Sequence, residues 1–597
     1  MKSIHWIALV TIVATSHIYA IETLDELIVK STRIETPLDL MSSSVDVITA
    51  EELQASGVTY VSDALLFQPG INGSRSGGPG QATQLYLRGA KPQHTLILVD
   101  GVHMNGQLDL NGYDLANLDL NSVERIEILK GPQSTLYGSD AMAGVINIIT
   151  TKSKIPHRYI QHEIGRYGTE YTTAGISGST EQLTYTLSYS DYSNDGFSSL
   201  ENNEEADAID NETLFARIDS AFSEKTKGYV SLRYIDAIGQ YDDQFGSSHS
   251  ANFYDKEQLI TRFAIEHTIT DTLRSQAGIS YFNLERSEHS AFGVSDYLSD
   301  TLSYDWNITA HPNSKSTLLL GLEGHEDVYE FSEGAPAEQG DINSHAFLAL
   351  WQHQPKAGTA LSLSAREDHH SQFGSAFTYQ GGLHHTLSKS DTRLYASYGT
   401  GFKAPTSYQS YNNPTLKAEK SEGWEIGFEQ PFHDNQLQIA IAIFQKEYSQ
   451  FIDYVRWESG PIYTNATTAL SDGFEAGLTL YPSDTLTMRI GYSYLDNDSV
   501  DNSFTLRRPT HKLDSTLSWL ATDKLQLTLL IGYVGNRQGV ANEMDSYVPV
   551  QLAARYRADD TLTFYARIEN LLDEEYELAN GYNTPGKGLY GGVRIDF

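Results

Sequence analysis

A two-residue rhythm runs through most of this chain and limits what it can fold into. Leu183, Tyr185, Leu187 and Tyr189 alternate with Thr184, Thr186 and Ser188. The pattern returns at Leu437, Ile439, Ile441 and Ile443, at Leu486, Met488, Ile490, Tyr492 and Tyr494, and at Leu525, Leu527, Leu529, Ile531 and Tyr533. Successive side chains on a strand face opposite ways, so this period puts one face against something apolar and the other against something polar. No segment after the N-terminus offers the ~18 uninterrupted apolar residues of a membrane helix. A soluble sandwich and a membrane barrel remain. The alternation starts near residue 152 and lasts to the final strand, where Leu589, Val593, Ile595 and Phe597 share one parity and Arg594 and Asp596 the other. Such persistence favours a barrel with its apolar face in lipid and its polar face lining a lumen.

At 597 residues the chain is too long for one ordinary core, so at least two domains are expected. It has no cysteine, which excludes disulfides and thiolate metal sites. A net charge of -36 argues against a nucleic-acid partner. The 37 tyrosines, against 6 tryptophans and 22 phenylalanines, suit a membrane interface, where a ring with a polar tip is at home. Lys2, a mostly apolar stretch over 4–13 and the small Ala20 read as a secretory signal peptide, residues 1–20.

Residues 21–37 are short and mixed. Within them Glu26, Leu27, Ile28, Val29, Lys30, Ser31 and Thr32 place an apolar centre between polar ends. This is either a frayed terminus or one edge strand, or else a recognition strand that adds to another protein's sheet. Val45, Val47 and Ile48 predict a strand. Thr49 and Glu52 have capping-box spacing, so a helix starts there and Gly57 ends it. A second helix carries Val61, Leu65 and Leu66. Residues 73–80, GSRSGGPG, read as a loop, and 85–88 and 95–99 as strands, with Asp100-Gly101 a tight turn. Residues 123–150, VERIEILKGPQSTLYGSDAMAGVINIIT, read as strand, turn, loop, strand, with Gly138 and Gly144 suited to positive φ.

The motifs QPGI, YLRGA, LILVDGV, IEILKGP and LYGSDAMAGVINI occur in this order. They resemble the plug of TonB-dependent outer-membrane receptors. Later, YGTGFKAP, NPTLKAEKSEGWEIGFE, IENLLDEEY and PGKGLYGGVRIDF resemble the barrel of the same family, and the terminal Phe597 resembles an outer-membrane assembly signal. The resemblance implies a TonB-box segment at 21–37, a plug at 38–152 and a transmembrane β-barrel at 155–597. The fold implied is all-β, a 22-stranded antiparallel barrel with an N-terminal α+β plug in its lumen. Spread over ~440 residues, that leaves about 20 residues per strand and connection, compatible with ~10-residue strands. Residues 26–32 then become the TonB box, TonB the periplasmic partner and outer-membrane lipid the surroundings.

No catalytic constellation is visible: Ser, His and Asp are too scattered for a triad. His369-His370 and His384-His385 are adjacent on strands, so each pair offers the lumen one imidazole. Residues 201–210, ENNEEADAID, are either a solvated acidic loop or a calcium site. Asn203, Glu205 and Asp207 are spaced two apart, with Tyr241, Asp242 and Asp255 to complete the shell. This arrangement resembles the calcium loops of the family's cobalamin receptors, with Glu at one position where Asp is usual and Ser198 where a further Asp is expected. The spacing from Leu87 to Asn105 also suits that branch. Carried over by position, substrate contacts fall on Ala82, Gln84, Lys91, Asp109 and Leu110 of the plug and Arg507 of the barrel. The function implied is energy-coupled import of cobalamin or a related corrinoid, without covalent chemistry. The alternatives are a ferric-siderophore receptor, a passive pore or adhesion barrel, and a secreted β-rich enzyme. Residues 402–416 lack the histidine expected of a haem receptor.

Overall fold

The computed structural model describes residues 28–29, 33–34, 36–108, 112–200, 203, 205–242, 252–333, 338–454, 463–465, 468–499, 504–540 and 542–597. The proposed signal peptide therefore lies outside the described residues. From His157–Gly165 to Gly588–Asp596, 22 antiparallel strands close into a barrel. The first strand pairs with the last, from Tyr159 opposite Asp596 to Gly165 opposite Tyr590. Closure leaves no edge, which a sheet in hydrocarbon requires because lipid offers backbone groups no hydrogen bond.

The alternation read from the sequence sorts the side chains as expected. Leu187, Tyr189, Ile441, Ile443 and Phe474 stand on the outer wall, exposed to the surroundings. Ser188, Ser190, Arg233, Gln258 and Glu475 point inward and are buried. In water that outer wall would be a severe liability at about 25 cal/mol per Å² of apolar surface; in a bilayer it is the solvated face. Outer tyrosines anchor their hydroxyls on carboxylates nearer the strand ends: Tyr234 donates to Glu257 at 2.7 Å and Tyr398 to Glu422 at 2.8 Å. Connections are short at one end, as at 224–225, 271–272 and 523–524, and long at the other, as at 195–208, 404–418 and 570–587.

The lumen is filled by the N-terminal domain. Its five-stranded sheet runs in the order Val45–Thr49, Val123–Lys130, Gly144–Thr150, Thr95–Val99, Val102–His103. Only Thr95–Val99 and Gly144–Thr150 pair in parallel. The predicted cap is present. Thr49 N donates to Glu52 Oε2 at 2.9 Å, Glu52 N donates to Thr49 Oγ1 at 3.3 Å, and helix Ala50–Ser56 follows. Gly57 stops that helix at φ 71°, a left-handed conformation that costs a residue with a Cβ ~1–2 kcal/mol. Asp100 and Gly101 both have positive φ, the two-residue turn expected between Thr95–Val99 and Val102–His103. Val61, Leu65, Ile71, Ile126, Ile128 and Ile146 form the core.

Two local expectations fail. Residues 73–75, read as loop, belong to strand Ile71–Arg75, which pairs with Thr83–Leu87. Gly73 is a glycine within this strand because a Cβ there would strike the Leu66 side chain. Within 131–143, read as loop, Ser134–Tyr137 forms one helical turn.

Candidate functional site

Three features meet around the plug: a short segment at its N-terminal edge, a charged cluster binding it to the wall, and loops above its apex.

The N-terminal segment is folded back on itself. Ile28–Val29 pair with Thr36–Pro37, and Arg33 lies at the bend with φ 62°. The Arg33 guanidinium stacks 4.6 Å over the Tyr137 ring and pairs with Glu323 on the barrel strand Ser316–Glu333. Glu323 also pairs with Arg366, which Asp368 holds at 2.9 Å. Glu26, Leu27, Lys30, Ser31 and Thr32 lie outside the described residues. Arg33 thus holds this segment, one residue beyond the stretch read from the sequence as a TonB box. The sequence reading passed over it because its partner lies in a distant barrel strand.

The second feature was also missed. Arg88 follows strand Thr83–Leu87 at φ 47°. Its Nε and Nη2 donate to the two Glu475 oxygens at 3.0 Å each, and its Nη1 pairs with Glu425. Lys130 Nζ bridges Glu475 at 2.9 Å and Asp46 at 2.7 Å. Ser44 N donates to Glu425 Oε1 at 2.7 Å. Two plug cations and two barrel carboxylates therefore share one buried cluster. Burial opposes the Arg88 charge, but Glu425 and Glu475 outweigh it and its pKa rises. Breaking such a pair on one side is costly because the other charge stays buried. One signal was available: Glu425 and Glu475 have inward parity between outward Trp424 and Ile426 and beside outward Phe474.

The residues proposed for substrate lie toward the long-loop end. Ala82 is exposed on the turn joining Ile71–Arg75 to Thr83–Leu87, and Gln84 is half-buried, accepting a bond from Tyr86 Oη at 3.3 Å. Lys91 Nζ donates to Ile452 O at 2.8 Å and lies 3.8 Å from the Phe451 ring centre. Arg507 donates to Ser74 Oγ at 3.0 Å. Asp109 and Leu110 lie outside the described residues. Ala82, Gln84, Lys91 and Arg507 thus ring the plug apex, though Lys91 and Arg507 are already engaged.

The acidic loops come together in part. Asn203 Nδ2 donates to Asp242 Oδ1 at 2.5 Å and also reaches Glu205. Asp207 accepts from Ser199 N at 2.7 Å and Asp242 from Leu200 N at 2.9 Å. Burial, with Asp242 and Glu205 nearby, pushes the Asp207 carboxyl up. Tyr241 is half-buried beside them. Asp255 is elsewhere. It already belongs to strand Phe253–Thr270, opposite Ile238, and alternates with buried Lys256, so its carboxylate is exposed on the outer wall. Among the described residues, no group of three or more His, Cys, Asp or Glu is arranged to hold a metal ion. Any cation here would need Asn203 and main-chain or hydroxyl oxygens in addition to the carboxylates. His369 is exposed, His370 half-buried and His384 buried, as expected for neighbours on opposite faces.

A plugged barrel with these parts has relatives. Residues 37–145 match the TonB-dependent receptor plug domain, and residues 153–571 match the TonB-dependent receptor-like β-barrel. The chain belongs to the TonB-dependent receptor family. The receptor is thus an outer-membrane protein of a family of receptors and transporters that use TonB and bind small molecules. It is 28% identical to the vitamin B12 transporter BtuB of Vibrio vulnificus over 98% of this chain and 96% of that protein. It is 27% identical to the BtuB of Photobacterium profundum over the whole of both chains. Among solved structures it resembles the siderophore receptor PirA of Acinetobacter baumannii, with TM-score 0.81, 18% identity, and coverage of 93% of this chain and 98% of that one. It also resembles a mutant of the ferric enterobactin receptor PfeA of Pseudomonas aeruginosa, with TM-score 0.78, 20% identity, and coverage of 94% and 100%. At these identities the structural likenesses speak for the fold alone.

Proposed function

We propose that this receptor imports cobalamin or a related corrinoid across the outer membrane, driven by TonB. The observation that carries the substrate is the full-length similarity to vitamin B12 transporters, which spans plug and barrel alike. The long-loop end faces outward and collects the ligand over Ala82, Gln84, Lys91 and Arg507. The short-turn end faces the periplasm, where residues 26–32 are offered to TonB. Arg33 and its partner Glu323 hold that segment back until ligand binding shifts the balance. A passive pore is disfavoured because the plug fills the lumen. A ferric siderophore is the second reading; the structural neighbours carry the names of siderophore receptors, but their likeness bears on the fold.

Calcium belongs to this proposal as a loop-ordering ion. Asn203, Glu205, Asp207 and Asp242, with Tyr241 beside them, would supply oxygens, and binding would offset the burial, and the lesser repulsion from Asp242 and Glu205, that raise Asp207. The test is cyanocobalamin binding to detergent-solubilised receptor, with calcium and with chelator. Tight binding weakened by chelator supports both assignments. Tight binding indifferent to chelator keeps the corrinoid and removes calcium. Absence of binding in both conditions overturns the corrinoid reading and directs the search to ferric siderophores.

A further inference from the structure

The plug does not meet the barrel wall equally all round. Beside helix Ala50–Ser56 it leaves a cavity of about 500 Å³, where the first barrel strands meet the last ones. Gln54 and Asn121 line its plug side, and Glu163, Ser188, Arg567 and Arg594 its barrel side. The cavity also reaches Ser153 and Ile155 in the exposed link between plug and barrel, so it opens toward the periplasmic end. Its wall mixes apolar and polar groups. Asn121 Nδ2 and Ser188 Oγ are buried without a protein partner. On the opposite side Ser364 Oγ donates to Thr135 Oγ1 at 3.0 Å; beside the cavity the plug is held by Tyr159 Oη, which donates to Asn121 Oδ1 at 2.8 Å, and by Arg233, which pairs with Asp119 at 2.9 Å.

The cavity ends at three buried tyrosines. Tyr60 of the plug packs edge-on against Tyr192 of the barrel at 5.4 Å, and Tyr171 against Tyr192 at 5.8 Å. Tyr171 lines the cavity, and Tyr192 lies two inward positions beyond Ser188 toward the loops. Immediately beyond, Ile209 and Tyr254 pack on the same cluster. Tyr254 Oη donates to Gly80 O at 2.7 Å, and Gly80 shares the apical turn with Ala82. The three rings, with Ile209, Tyr254 and the buried Arg233–Asp119 pair packed beside them, thus separate the apical turn from the periplasmic cavity.

From this we infer that the transit path runs along this side of the plug, with Tyr60, Tyr171 and Tyr192 as its gate. Two of the three rings belong to the fixed wall. Tyr60 alone is on the plug, four residues after helix Ala50–Ser56, so withdrawing that stretch both opens the gate and widens the cavity below it. The rest of the plug can stay against the opposite wall.

The inference rests on the transport reading, but its test needs no ligand, so a failed cyanocobalamin assay leaves it intact. Ion conductance is measured across planar bilayers holding the full chain, each variant first checked for the heat-modifiable migration of a folded barrel. The Tyr60→Ala receptor is expected to conduct where the parent is closed, and Tyr448→Ala, a buried wall residue away from the cavity, is not. The chain lacks cysteine, so one thiol can be placed at will. In the Tyr60→Ala background, a thiol-reactive reagent should abolish most conductance through Ser188→Cys and leave it unchanged through Ser364→Cys. A folded Tyr60→Ala barrel that stays closed would overturn the inference. So would conductance that is blocked at Ser364→Cys and not at Ser188→Cys.

Discussion

Replacing Arg88 by alanine should loosen the plug by ~3–5 kcal/mol, the usual cost of leaving a buried charge without its partner. Two carboxylates lose a cation at once. Glu475 keeps Lys130 at 2.9 Å, whereas Glu425 keeps only hydrogen bonds such as that from Ser44 N. The loss falls on the plug–barrel contact because the barrel's own ladder is untouched. Calorimetry in detergent should therefore show the plug melting earlier while the barrel transition stays in place. Removing charge on both sides, with Arg88→Met, Lys130→Met, Glu425→Gln and Glu475→Gln together, should recover much of the loss, because apolar or neutral replacements avoid the desolvation penalty. If the single substitution leaves plug melting unchanged, the cluster does not hold the plug.

The second large effect is expected at Arg33. Its guanidinium links the bend of the N-terminal segment to Glu323 and stacks on Tyr137. Losing one partner of a buried charge pair costs about 2–5 kcal/mol. The lower end applies here, since Glu323 retains Arg366. At 1.4 kcal/mol per factor of ten, ~2 kcal/mol raises the released population roughly 30-fold. A spin label at position 28 in Arg33→Ala should show a mobile spectrum without ligand, where the parent shows an immobilised one. An immobilised spectrum in the variant would mean that the short ladder with Thr36–Pro37 holds the segment by itself.

Local rules carried the sequence reading where neighbours in the chain decide the structure. The Thr49–Glu52 cap, the left-handed Gly57 and the Asp100-Gly101 turn are settled within a few residues. The barrel's two faces follow from parity alone, as at Leu187 against Ser188. The count of 22 came instead from motif resemblance, since periodicity fixes a strand but not how many close a ring. Asp255 fails for a register reason: counted as a loop residue, it lies in a strand that has already begun, and one step of parity puts it outside. Gly73 fails because glycine signals a loop locally, while here it clears room for Leu66. The Arg88 cluster and the Arg33–Glu323 pair join plug to wall across the fold, and no spacing in the chain encodes which carboxylate meets which cation.

The most direct test of energy-coupled corrinoid import is uptake of radiolabelled cyanocobalamin by bacteria whose own receptor has been deleted. The full chain is compared with a version lacking residues 26–32, with surface binding measured in parallel. The account predicts that the full chain restores uptake, and that the deletion still binds cobalamin at the cell surface but accumulates none. Equal uptake by both versions would contradict energy coupling through this segment. Absence of binding and uptake by a full chain shown to be folded in the outer membrane would contradict the corrinoid assignment itself.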